Sequence, residues 1–392
     1  MSYRKLKADY LFDGYRMLDN HNVLICHADG TVESIMEEKE SGDGVESLTG
    51  LLTPGFINCH CHLELSHLKD RIPEKQGLVN FVLSVMAQRN FPDEFKQEAM
   101  FAAETQMLET GITGVGDICN TADTGMLKSA GRLFYYNFIE LLGWMPDQAA
   151  SRYENGLKLA ALFCGMEQDK KHCSLNPHAP YSVSAELWDL MTSDFADKTI
   201  TIHNQESAGE NEFFKSATGD LIRMYSAMKM DTGHFHAPGL HSLPYFLPKL
   251  KSASKILLVH NTYTEESDLI DALSFSKNLF FCLCPNANLY IEDKLPDVPL
   301  FINLNARMVM GTDSLASNHQ LSILEEIKTI KKYFPETHTA QLLLWATSNG
   351  AAALSMSERL GDFSKGKKPG VVLIENMNGT EIQHESSCRR IL

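Results

Sequence analysis

Residues 51–67 read LLTPGFINCHCHLELSH. Thr53, Pro54 and Gly55 break the backbone pattern, and the apolar pair Phe56 and Ile57 then runs into His60 and His62. Side chains at i and i+2 of a strand share one face, so the pattern predicts a strand that brings two imidazoles to one metal ion. Neutral imidazole is the commonest protein metal ligand. Cys59 and Cys61 alternate with the histidines and are expected to face away from them.

Downstream, apolar runs alternate with longer helical patterns, which is the sequence mark of βα units around a parallel sheet. Eight runs are found, at 56–62, 111–118, 133–141, 173–178, 199–205, 255–261, 279–285 and 307–313. After the first, Leu78, Val82, Val85 and Met86 fall on one helical face. The fold class expected is α/β, a (β/α)8 TIM-type barrel spanning 54–364, whose chemistry sits at the C-terminal strand ends. Five of those ends are polar: His60, His62 and Glu64; His178; His203 and Glu206; His260; and Asp313. A lone histidine at a strand end is usually structural, but recurrence at five ends points to a catalytic mouth.

The chain ends read differently. Short strands are expected at 3–8, 23–27, 31–35 and 45–48, with a closing pair at 371–374 and 380–383. They predict a small β-sandwich subdomain built from 1–53 and 365–392.

Composition narrows the function. A formal net charge of −15 leaves no basic stripe for nucleic acid. No run is long enough to span a membrane, and the polar N-terminus lacks a secretory core, so a cytoplasmic protein is expected. The nine cysteines are scattered, odd in number and mostly in apolar runs, as reduced core thiols would be. Three histidines and an aspartate, His60, His62, His203 and Asp313, make a sensible set for one divalent ion, zinc first and iron(II) second. Strand four carries no lysine that could bridge a second ion.

These strand ends resemble the amidohydrolase superfamily, in its mononuclear deaminase and chlorohydrolase branch. The resemblance rests on H-x-H (His60, His62), H-x-x-E (His203, Glu206), His260 and G-T-D (Gly311–Asp313), with PHAPYSVS from Pro177, CPNANL from Cys284 and GTDSLASN from Gly311. It covers nearly the whole chain. Within the branch, HLELS (His62–Ser66) is most similar to the aminodeoxyfutalosine deaminases. One departure is Pro369-Gly370-Val371-Val372, where relatives commonly have Ala-Asp-Leu.

The resemblance implies metal-dependent hydrolytic deamination of an amino-substituted nitrogen heterocycle, purine or purine-nucleoside-like, with ammonia released. Glu206 would shuttle protons, His260 would hold or polarise the nucleophile, and Asp313 would accept a proton from water. His178 and Glu64 are the expected substrate contacts, although Glu64 could instead orient His62. Phe213, Phe214, Tyr225 and Phe235 could stack on a ring or simply fill the core. His234 and His236 lack a preceding apolar run and are expected to be non-ligands, with a lid role left open. Two rivals remain: hydrolysis of a cyclic amide or halogenated triazine ring, and a catalytically silent binding protein. The partner expected is a small-molecule substrate, with a homo-oligomer left open.

Overall fold

A computed structural model describes residues 3–166 and 172–392 of the chain. In it the eight apolar runs form strands β1 (Phe56–Cys61), β2 (Ile112–Cys119), β3 (Phe134–Leu141), β4 (Cys173–Pro177), β5 (Thr199–Asn204), β6 (Lys255–His260), β7 (Leu279–Leu283) and β8 (Met308–Met310). They pair in parallel within two four-stranded sheets, ordered β4-β3-β2-β1 and β5-β6-β7-β8.

The sheets meet along two seams, and at each an asparagine side chain replaces a strand-to-strand bond. Asn58 of β1 accepts from the Thr312 amide at 3.0 Å and donates to the Thr312 hydroxyl at 2.7 Å. Asn176 of β4 accepts from the Thr201 amide at 3.0 Å. Backbone bonds complete both seams at the C-terminal rim, from His203 N–H to the His178 carbonyl and from the Thr312 and Asp313 amides to the His60 carbonyl. The result is the (β/α)8 barrel.

Its interior is filled by Ile57, Tyr136, Phe138, Leu257, Val259, Phe280 and Val309, closed at one end by Ala351, Leu354 and Leu360. A second core, including Ile112, Ile139, Leu175, Ile200 and Ile256, packs against helix residues such as Met107, Leu187, Leu269 and Ile327. Cys59 sits in the interior cluster and Cys61 in the outer one. Among the described helices, none is long and apolar enough to cross a membrane.

The chain ends build two further sheets. One is ordered Val32–Glu37, Asn22–His27, Tyr3–Lys7, Val45–Ser47, and the other Ser387–Arg390, Val371–Glu375, Leu51–Pro54, Tyr10–Phe12, Met17–Leu18. Leu6, Leu24, Leu52, Val371 and Leu373 from both sheets share one buried cluster, giving a small sandwich.

Four local readings need correction. The segment 380–383, expected as a strand, is a turn held by reciprocal backbone bonds between Asn378 and Glu381, with Gly379 at φ 58°. The closing strand is Ser387–Arg390, whose SCRR sequence has no apolar alternation to betray it. Thr53 and Pro54, expected with Gly55 to break the backbone pattern, instead end a buried strand, Leu51–Pro54. Cys164 and Cys173, expected as free thiols, form a disulfide across Cα atoms 5.8 Å apart, because the helix Ala149–Met166 packs beside β4. β8 also stops at Met310, since the Thr312 and Asp313 amides turn toward the His60 carbonyl and Asp313 adopts φ 58°.

Removing Asn176 leaves the Thr201 amide without its acceptor, and removing Asn58 takes one partner each from the Thr312 amide and hydroxyl. Asn58→Ala and Asn176→Ala should each lower the unfolding free energy by about 1–3 kcal/mol in urea titrations. A loss below a few tenths in both would show that the seams do not depend on these side chains.

Candidate active site

The strand ends converge on one small buried volume. The ring nitrogens of His60, His62 and His203 include one ligand-capable atom each, all within 4.8 Å of one another. The Nε2 atoms of His62 and His203 are 3.4 Å apart, and Asp313 Oδ1 lies 3.7 Å from His60 Nε2 and 3.6 Å from His62 Nε2. All four residues are buried.

Each group is oriented from behind. His203 Nδ1 donates to the His178 carbonyl at 2.8 Å, so its lone pair is on Nε2, toward His62. Ser317 donates to Asp313 Oδ2 at 2.6 Å. His260 Nδ1 is 2.9 Å from Asn288 Oδ1, which leaves Nε2 facing Glu206 Oε1 at 3.6 Å. The rim backbone is unusual as well. Gln205, His260, Asn261 and Asp313 have φ of 46°, 73°, 59° and 58°, the left-handed region that residues other than glycine rarely occupy. Such outliers gather at functional sites.

Burial sets the protonation. It pushes the His62 imidazole down to about 3 and that of His178 to about 4, and holds His203 well below the usual range, so the rings are neutral donors. Burial pushes the Glu206 carboxyl well above the usual range, which favours its protonated form. Although burial also opposes ionisation of Asp313, its contact with His60 and its closeness to His62 keep it below the ordinary carboxylate range.

These residues fit a divalent cation. Both ring nitrogens of His60 are buried with no hydrogen-bond partner among the described residues, which suits a metal ligand and is costly otherwise. A second trio, Glu140, His178 and His203, also has donor atoms within 4.8 Å. It does not make a second metal site, because His203 Nδ1 is already a donor to the His178 carbonyl. Cys282 and Cys284 are buried free thiols outside both groups.

A cavity of about 440 Å³ opens from this centre, with His62, His203, Glu206, His260 and Asp313 at its inner end. His178 lines the wall, with Nδ1 2.9 Å from the Ser182 hydroxyl. Glu64 lines it too, and its Oε2 accepts from the amides of Asn120 and Thr121, both at 3.0 Å, and from the Thr121 hydroxyl at 3.1 Å. No bond joins Glu64 to His62 among the described residues, so the alternative that it orients that ligand finds no contact here. His67 is turned away, between the carbonyls of Glu64 and Arg89.

Several residues in or beside the cavity escaped the sequence reading. Glu140 at the end of β3 is bonded by the Asn120 amide side chain at 3.0 Å, and burial pushes its carboxyl up to about 8. Asp117 of β2 holds the Leu63 amide at 2.9 Å and pairs with buried Lys128 at 2.6 Å. Glu140 lies one residue and Asp117 two residues short of the strand end, with apolar Leu141 and Ile118 after them, so a search for polar residues closing each run passes them by. Trp144 stacks on Tyr225 with ring centres 4.5 Å apart, and both line the cavity. Phe213 and Phe214 are fully buried and Phe235 stacks on Phe213, so these three form the packing beneath. His234 leans on Trp144, His236 is exposed, and neither joins a metal-capable group. The helix Leu78–Gln88 supplies Phe81, Val82, Val85 and Met86 as an apolar wall, with Arg89 just beyond it and Arg152 across the mouth.

The sequence profile of the amidohydrolase family matches residues 51–385. The chain belongs to the amidohydrolase family. This amidohydrolase is accordingly a hydrolase acting on carbon–nitrogen bonds. It is similar to the aminodeoxyfutalosine deaminase of a Nitratiruptor species, with 24% identity over 89% of this chain and 85% of that protein. Among solved structures, aminofutalosine deaminase of Helicobacter pylori in complex with methylthio-coformycin superposes with a TM-score of 0.80 at 22% identity, covering 96% of this chain and 94% of that one. Atrazine chlorohydrolase of Arthrobacter aurescens, complexed with zinc, superposes at 0.72 with 14% identity, covering 94% and 86%. At these identities the two structures establish the shared fold.

Two residues outside the cavity lining offer a check on the site's construction. Ser317→Ala frees Asp313, and Asn288→Ala frees His260. Each should lower divalent-metal affinity or turnover by about 10–100-fold while the melting curve stays near that of the wild type. Unchanged metal affinity and turnover in both variants would show that the two side chains do not orient the site.

Proposed function

We propose that this amidohydrolase is a metal-dependent hydrolytic deaminase of an amino-substituted nitrogen heterocycle, purine-nucleoside-like, and that it releases ammonia. The observation that carries the reading is Glu206: a carboxyl buried at the inner end of the cavity, 3.6 Å from His260 Nε2, where burial favours its protonated form. Hydrolysis of a ring–halogen bond has less use for such an acid, whereas deamination must protonate both a ring nitrogen and a departing amine.

His60, His62, His203 and Asp313 would hold one divalent ion, zinc first and iron(II) second. When bound, the ion supplies Lewis acidity and lowers the pKa of water toward about 7. Glu206 gives its proton to the ring nitrogen while the adjacent carbon takes the oxygen of water. Asp313, kept ionised with Ser317 donating to it, takes a proton from that water. The hydroxyl proton of the adduct returns to Glu206, the amine takes the proton held by Asp313, and ammonia leaves. His260, fixed by Asn288, faces the same point and polarises the nucleophile.

The walls support a substrate larger than a bare ring. His178, Glu64 and Glu140 offer polar partners and the Trp144–Tyr225 pair an aromatic face. Arg89 and Arg152 line the mouth with no acidic partner among the described residues, a setting that suits an anionic substituent on the sugar side. The family relatives named above include an aminodeoxyfutalosine deaminase, which agrees with this class. In this reading residues 54–364 form the catalytic barrel, residues 1–53 and 365–392 form the accessory unit, and the enzyme works in the cytoplasm.

Glu206→Gln keeps the shape but cannot carry a proton, so turnover should fall by roughly two to four powers of ten with metal content unchanged. Metal loss with turnover per bound ion preserved would assign Glu206 to the metal instead. For substrate class, kcat/KM should favour an adenine-type nucleoside over its free base, because the free base leaves buried polar groups unpaired at about 1–3 kcal/mol each. A preference for the free base or for a chlorinated triazine would overturn the nucleoside reading.

A further inference from the structure

Gln205 stands between His203 and Glu206 and adopts a left-handed backbone at φ 46°, which a residue with a side chain holds only when its surroundings impose it. Those surroundings are a buried polar cluster outside the cavity. Glu210 Oε1 accepts the Gln205 N–H at 3.0 Å and also a short bond from the Ser242 hydroxyl. The Gln205 side chain donates to Asp268 Oδ2 at 2.7 Å and to Asn211 Oδ1 at 3.2 Å, and Asp268 in turn contacts His241 Nδ1 at 2.7 Å. The Gln205 carbonyl receives the Tyr263 amide at 2.9 Å.

Glu210 is completely buried, its Oε2 has no hydrogen-bond partner, and no lysine or arginine pairs with it among the described residues. Burying an acid this way is unfavourable, and an apolar side chain would fill the space without that penalty. What only an acceptor can do there is hold the amide that sets the turn. We propose that Glu210 is a positioning residue for Glu206, fixing the left-handed turn at Gln205 that aims the Glu206 carboxyl at His260. The proposal rests on the deaminase reading for Glu206, but its structural half can be measured without any substrate.

The test compares metal-loaded full-length Glu210→Ala and Glu210→Gln with the wild type, by amide hydrogen exchange over residues 204–207 and by kcat and KM. In Glu210→Ala, exchange at Gln205 and Glu206 should accelerate and kcat fall by about 10²-fold, as expected when a catalytic group is misplaced by about an ångström, with KM and metal content within twofold. Glu210→Gln keeps an acceptor oxygen and should restore both readouts. Should the alanine variant not fold, Glu210→Asp retracts the acceptor in a milder way and should show the same two changes, with kcat down about tenfold. Unchanged exchange in the alanine or aspartate variant, a glutamine variant as impaired as alanine, or metal loss that accounts for the fall in kcat would each overturn the proposal. If the wild type releases no ammonia from any nucleoside, the deaminase reading falls, while the exchange comparison still decides whether Glu210 holds the turn.

Discussion

The structure depends on a charge that the chain does not balance. At the inner end of the cavity an ionised aspartate, Asp313, faces three neutral histidines, and the carboxyls of Glu206, Glu64 and Glu140 line the same space. Lys128, whose side chain is buried, is committed to Asp117. Arg89 and Arg152 stand at the outer mouth. Neutral imidazoles offer lone pairs and no positive charge, so the cluster is stable only with a cation brought from outside or with its acids protonated. The chain uses both routes. Burial favours the protonated forms of Glu206 and Glu140, and the arrangement of His60, His62, His203 and Asp313 accommodates the cation.

Holding such a cluster requires a stiff frame, and the frame carries strain. Four rim residues other than glycine have positive φ, each costing of order 1–3 kcal/mol. They sit where β5, β6 and β8 end, and each is held by neighbours: Asp313 through its amide to the His60 carbonyl, Asn261 through its amide to the Asn204 carbonyl, Gln205 through Glu210, and His260 through its ring to Asn288. The seam asparagines belong to the same frame. Asn58 ties β1 to Thr312, the residue before Asp313, and so couples barrel closure to the position of one site residue.

Much of this was legible in the sequence because the barrel rule is local in each strand: an apolar run followed by a polar residue places that residue at the mouth. His60, His62, His203, Glu206, His260 and Asp313 all follow such runs, and the structure brings them together. Glu140 and Asp117 lie just inside their runs, before Leu141 and Ile118, so no polar residue closes those runs to mark the mouth. Ser317 and Asn288 lie inside the GTDSLASN and CPNANL motifs, but the partners they orient are distant or fixed by loop geometry that spacing does not reveal. The Cys164–Cys173 pairing and the Ser387–Arg390 strand depend on tertiary packing alone. Trp144 and Tyr225 face each other across 81 residues of chain, so no periodicity could announce their stacking.

The central claim is that one cation completes this cluster through nitrogen and oxygen ligands. Metal analysis of gently purified protein, combined with X-ray absorption at the edge of the metal found, measures it directly. The account predicts one divalent ion per chain with a nitrogen and oxygen shell containing histidine and no sulfur. Two ions per chain, a shell containing a sulfur from Cys59, Cys61, Cys282 or Cys284, or protein that binds no divalent metal at all would contradict it.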